Sequence, residues 1–96
     1  MWIRSQDKNK LIKCSKLYIV KNYNDKYEID NEHICIGEYT TKEKALKVMD
    51  MIQKLIAKLT LVELEAYRGF SSYMIGDYES IFQMPLDSEV TDESNS

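Results

Sequence analysis

Ninety-six residues, 44% hydrophobic and 30% charged, are enough for one small globular domain and too few for a second core. The formal charge of −3 divides unevenly: residues 1–58 hold twelve basic and eight acidic side chains, a net of +4, whereas the last ten residues hold Asp87, Glu89, Asp92 and Glu93 with no base. That balance is too even for stable nucleic-acid binding, and charges at Arg4, Asp7, Lys8 and Lys10, and again at Asp50, Lys54, Lys58 and Glu63, interrupt any leader or membrane span.

The first 39 residues read as short strands. Trp2-Ile3-Arg4-Ser5 is an extended start, followed by the polar run Gln6–Lys10 as a turn. Leu11–Cys14 and Leu17–Val20 are rich in aliphatic, β-branched and aromatic residues and predict two further strands. Asn22–Lys26 supplies Asn and Asp for left-handed turn geometry, and Tyr27-Glu28-Ile29-Asp30 alternates apolar with acidic, as a strand with one wet face does. Asn31-Glu32 turns the chain into Ile34–Tyr39, and such short connections predict antiparallel neighbours.

Thr40 followed by Glu43 is a capping-box spacing. Behind it Ala45, Leu46, Met49, Ile52, Leu55, Ile56 and Leu59 recur at steps of three and four, which predicts a helix over 41–66. Leu59-Thr60-Leu61-Val62 is apolar on every side and suggests a second packing face. An aromatic stretch with Phe70, Tyr73, Tyr78 and Phe82 follows, and Ser80–Met84 reads as a last short strand, stopped by Pro85, that covers a sheet edge. The polar, acidic segment 87–96 reads as a disordered tail. The expectation is an α+β domain over 1–86: an antiparallel sheet of four to five strands packed against one long helix.

Chemistry-bearing residues are few. Cys14 and Cys35 read as free, half-buried strand thiols in a reducing cytoplasm. Two cysteines and the single His33, placed in a turn, fall short of a zinc ligand set, so neither metal nor cofactor is expected. With three glycines and no phosphate loop, nucleophile elbow or His-Glu-x-x-His, the chain reads as non-enzymatic.

Two groups of residues have the composition of a ligand site. Trp2, Arg4 and Gln6 combine an aromatic with fork-shaped donors, suited to stacking on a base and gripping a phosphate; alternatively they form a strand end with Trp2 on the core. Arg68, among Tyr67, Phe70 and Tyr73, suits an aromatic-lined pocket or a packed return segment. Met49, Met51 and Ile52 offer an adaptable apolar helix face for a homo-oligomer.

The opening Met1-Trp2-Ile3-Arg4-Ser5-Gln6-Asp7, with Ile36-Gly37-Glu38-Tyr39, Thr41–Val48 and the closing Gln83-Met84-Pro85, resembles a family of short proteins of Gram-positive bacteria, their prophages and mobile elements. The family has no assigned activity, so the resemblance implies a setting, the cytoplasm of a bacterial host, and no reaction. In that setting the expected function is a phage-type anti-defence sponge: a homo-oligomer that sequesters a phosphorylated, nucleotide-derived immune signal. The alternatives are a protein-binding inhibitor or adaptor acting on a host defence or regulatory protein, and a structural or regulatory prophage protein.

Overall fold

Three residues with positive φ, Lys8 (67°), Asp25 (58°) and Glu32 (56°), mark the places where the chain doubles back. Each lies in a turn that the sequence predicts. The computed structural model describes residues 1–67 and 81–91. Its elements are β1 (Trp2–Arg4), β2 (Leu11–Lys13), β3 (Leu17–Lys21), β4 (Tyr27–Asn31), β5 (Ile34–Tyr39), α1 (Lys42–Tyr67) and β6 (Ile81–Gln83), then a 3-10 turn at Asp87–Glu89. The α+β class holds, with antiparallel hairpins against one helix.

The strands form two three-stranded ladders instead of one sheet of four to five strands. The first has the order β2-β1-β6 and the second β3-β4-β5. β1 runs antiparallel to β2 but parallel to β6, with Trp2, Ile3 and Arg4 opposite Ile81, Phe82 and Gln83. The last strand covers a sheet edge as expected, and it does so in parallel with β1.

A β-bulge couples the ladders. The β4–β5 register shifts between Ile29 and Asp30, so one extra residue, Ile36, enters β5. The shift turns Ile36 inward, to 1% exposure, and frees its carbonyl to accept the Gln6 N–H at 2.8 Å. Gly37 beside it has no room for a side chain. A Cβ there would stand 3.0 Å from Met84 Cε and 3.1 Å from the Tyr39 ring.

The core comprises Ile3, Ile29, Ile36, Tyr39, Ala45, Val48, Ile52, Met84 and Val90. Ala45, Val48 and Ile52 supply one helix stripe at steps of three and four; Ala45 and Ile52 are where the periodicity puts them, Val48 is an addition, and Leu46 and Ile56, expected on the apolar face, are exposed. Ile52 is therefore core and not an association surface; Met49 packs against that core, and Met51 is exposed. The side chains behind the proposed second face at Leu61 and Val62 lie outside the described set, although the backbone stays helical through Tyr67.

Two local expectations are corrected at the helix start. Thr41, not Thr40, caps α1, its Oγ1 accepting the Lys44 N–H at 3.1 Å. Thr40 instead donates its N–H (2.8 Å) and hydroxyl (3.1 Å) to the Asp87 carboxylate, which Lys44 Nζ also approaches at 3.4 Å. These bonds bring residues 87–91 out of the tail. Glu89 accepts the Leu86 N–H at 2.8 Å, and Val90 is 7% exposed in the core. An acidic run reads as solvated, but one carboxylate with three donors and one buried valine are enough to dock it.

Candidate functional site

The outer face of the first ladder is laid out by strand alternation. Along β1 only Ile3 points to the core, so Trp2 and Arg4 face outward together. The registers place Lys13, Trp2 and Ile81 in one row across this face and Leu11, Arg4 and Gln83 in the next. Trp2, Leu11 and Ile81 are half exposed, and this large apolar area surrounds cations. Trp2 is thus not the core residue of its strand.

The turn after β1 is built to hold its shape. Ser5, 1% exposed, donates its hydroxyl to Asp7 and accepts the Lys10 N–H at 3.0 Å, and Asp7 accepts the Asn9 N–H at 3.0 Å. The Ser5 hydroxyl, then the Asn9 N–H and the Lys10 charge, hold the Asp7 carboxyl below the usual range against a smaller effect of burial. The turn sets Lys8, Asn9 and Lys10 beside Arg4, and with Leu11, Ile81 and Gln83 they line a groove of about 510 Å³. Arg4 Nε donates to the Lys8 carbonyl at 3.0 Å, which orients the guanidinium and leaves its other N–H groups directed elsewhere. Lys10 pairs with Asp7 at 3.8 Å; among the described residues, neither Arg4 nor Lys8 has an acidic partner.

Gln6 does not join this groove. Its carboxamide donates to the Glu38 carbonyl and the Pro85 carbonyl, both at 3.1 Å, and accepts the Glu38 N–H at 2.9 Å. It pairs with Glu38 as a strand residue would and is spent on joining β5 to the segment after β6. The structure therefore brings together Trp2 and Arg4 and assigns Gln6 to the scaffold, while Arg68 and Tyr73 lie outside the described residues. Lys8 and Gln83 are the members that sequence reasoning missed. The positive φ of Lys8 carries no residue signal, and Gln83 is set by a pairing remote in sequence.

The outer face of the second ladder has the opposite character. Because the bulge turns Cys35 outward, its thiol lies with the Glu28 and Asp30 carboxylates, the three donor atoms within 4.8 Å of one another. Burial and then Glu28 push the Asp30 carboxyl up, and Asp30 Oδ1 is buried with no hydrogen-bond partner. Burial and the neighbouring Glu28 push the Cys35 thiol up to about 11, the reverse of what a nucleophile requires. Cys14 is half-buried and Cys35 exposed, and both are free. A second groove, of about 590 Å³, runs past Lys16, Tyr18, Asp30, Glu32 and His33.

Among the described residues no helix is long and apolar enough to cross a membrane. The chain matches no protein-family model, no curated protein and no solved structure.

Proposed function

We propose that this is a non-catalytic binding protein whose working surface is the outer face of the β2-β1-β6 ladder and whose ligand is a phosphorylated molecule carrying a flat base. The observation that carries the reading is a groove holding Arg4 and Lys8, two cations without acidic partners among the described residues, on the same face where Trp2, outside the groove lining, stands exposed. A guanidinium held by one backbone bond presents its remaining donors to a phosphate, and an indole on the same face offers a stacking surface. The groove is open, and burying most of a small ligand calls for a second wall, which a further copy of the chain supplies in a sequestering oligomer. In a phage or mobile-element setting the corresponding role is a sponge for a nucleotide-derived immune signal.

A second reading is favoured by the half-exposed Leu11 and Ile81 around the same cations: an acidic protein partner, with the chain acting as an inhibitor or adaptor. Native mass spectrometry and calorimetry with cyclic dinucleotides and ADP-ribose-type nucleotides separate the two. Arg4→Ala removes charge-assisted bonds each costing about 1.5–3 kcal/mol, a loss of roughly tenfold or more in affinity, with folding stability unchanged. Trp2→Ala should weaken the same ligand by about 1–3 kcal/mol. Wild-type affinity in both variants refutes the site, and absence of nucleotide binding alongside capture of one acidic protein transfers the face to the second reading.

A further inference from the structure

We infer that two copies of the chain form a twofold dimer through the edge of β3 that no described residue covers, paired antiparallel about Ile19. The inference does not depend on the ligand reading, since it uses the other ladder.

The alternation of β3 fixes which backbone groups are free. The Asn22 N–H donates to the Lys26 carbonyl and the Glu32 N–H to the Lys16 carbonyl, both at 2.9 Å, so even-numbered residues of this strand point their backbone groups at β4. Those of Leu17, Ile19 and Lys21 therefore point away, to an edge where the described residues provide no partner. The opposite edge of this ladder is closed, because the Gln6 N–H takes the Ile36 carbonyl and the Gln6 carboxamide takes both backbone groups of Glu38. β3 carries little of what protects a natural edge: its five residues, Leu-Tyr-Ile-Val-Lys, include no proline and no bulge, and their one charge is the exposed Lys21 at the end of the strand.

The same edge is complementary to itself. Antiparallel pairing about Ile19 sets Leu17 opposite Lys21 of the second copy and Ile19 opposite its counterpart, so all three outward-facing residues gain partners for N–H and carbonyl alike. A shift of register leaves Leu17 or Lys21 facing a residue outside the strand. Tyr18 then meets Val20 of the other copy in the closely spaced non-hydrogen-bonded positions, and both side chains, 49% and 43% exposed, become covered. Lys16, which has no acidic partner among the described residues, comes opposite Asn22 of the second copy. That Asn22 holds the Glu28 carboxylate at 3.0 Å and the Glu38 carboxylate at 2.7 Å; Glu38 already pairs with Lys26 at 3.7 Å, but Glu28 has no basic partner among the described residues, so each copy offers its Lys16 to the other's Glu28. This charge match and the self-complementary register specify a second copy instead of a foreign strand.

Sedimentation velocity on the full chain should show a monomer–dimer equilibrium, and isotope-filtered NMR on mixed labelled and unlabelled chains should connect Tyr18 to Val20 across the interface. The double variant Tyr18→Lys/Val20→Lys, at two solvent-facing positions, should keep the fold by circular dichroism and weaken association at least about tenfold. If that variant does not fold, Lys16→Glu, a surface charge reversal, decides through the same measurement and should also weaken the dimer. A wild-type chain that stays monomeric at every accessible concentration overturns the inference, as does a dimer indifferent to the substitution or one showing contacts elsewhere.

Discussion

Replacing Gln6 by alanine tests whether this residue belongs to the scaffold or to a ligand. Its side chain makes three hydrogen bonds, two donated to carbonyls and one accepted from the Glu38 N–H, in a half-buried joint between the ladders. At about 1 kcal/mol net for each bond, Gln6→Ala should cost roughly 3 kcal/mol, and less where water reaches the stranded groups. The Pro85 carbonyl keeps the Tyr39 hydroxyl at 2.7 Å, so the loss falls mainly on the two backbone groups of Glu38. In a chain of this length each 1 kcal/mol moves the melting temperature by about 4–8 °C, so thermal unfolding should fall by well over ten degrees. Urea titration should show a lower midpoint with little change in slope. Gln6→Glu is the informative companion at neutral pH: it keeps an acceptor for the Glu38 N–H but aims a carboxylate oxygen at two carbonyls, and should be no more stable than the alanine variant. Wild-type stability with lost ligand binding in Gln6→Ala would refute the reasoning and return Gln6 to the site.

Three further outcomes follow from the same structure. Truncation after Leu86 removes the Asp87 contacts and the buried Val90, and should destabilise by about 3 kcal/mol in urea, since a buried valine alone accounts for roughly 1.5–3 kcal/mol; an unchanged midpoint would mean that residues 87–91 do not dock. Burial opposes ionisation of Asp87, but the Thr40 and Lys44 bonds outweigh it and lower its pKa, so its contribution is complete above the ordinary carboxylate range and lost as pH falls through the lowered folded value. The wild-type minus Asp87→Asn difference should shrink on acidification, and a gap that widens there would contradict this sign. Gly37→Ala must displace Met84 and the Tyr39 ring and should cost about 1–3 kcal/mol by chemical denaturation. Asp30→Asn should raise stability at neutral pH, because the ionised carboxylate has a buried, unpartnered oxygen and a raised pKa; the gain should vanish below the ordinary carboxylate range, where Asp30 is protonated in both folded and unfolded chains, and a variant less stable than wild type at pH 7 would exclude the account.

Local features were legible wherever a residue's own chemistry decides its conformation. Asn22–Lys26 forms a turn because Asn and Asp tolerate it, Asp25 taking the positive φ; the next reversal falls on Glu32 and His33, with Asn31 still in β4, and the apolar stripe of α1 runs through the expected Ala45 and Ile52. Features decided by a partner far along the chain were not. Thr40 has the spacing of a cap, yet Asp87, forty-seven residues away, claims its N–H and hydroxyl, and Thr41 takes over the capping role. Gln6 next to Trp2 and Arg4 has the composition of a ligand group, and only the position of Glu38 and Pro85 shows it to be fully engaged. Cys35 read as a half-buried strand thiol; a one-residue bulge moves it to the outer face beside Glu28 and Asp30, because strand alternation inverts with each added residue. Within the candidate site, the alternation of β1 was enough to put Trp2 and Arg4 on one side, but their neighbours Ile81 and Gln83 arrive through a parallel pairing that no hairpin spacing announces.

That pairing also dictates an order of assembly during synthesis. The β3–β4–β5 hairpins and the start of α1 are close in sequence and can form as soon as they leave the ribosome. β1 must wait for β6, much further along the chain, before both its edges are filled, and the Gln6–Pro85 bond spans seventy-nine residues. One side of the Arg4 groove therefore appears only after the hairpins and the helix start. A nascent chain, or one clipped before β6, can possess the hairpins and the helix start and still lack the Ile81 and Gln83 side of that groove.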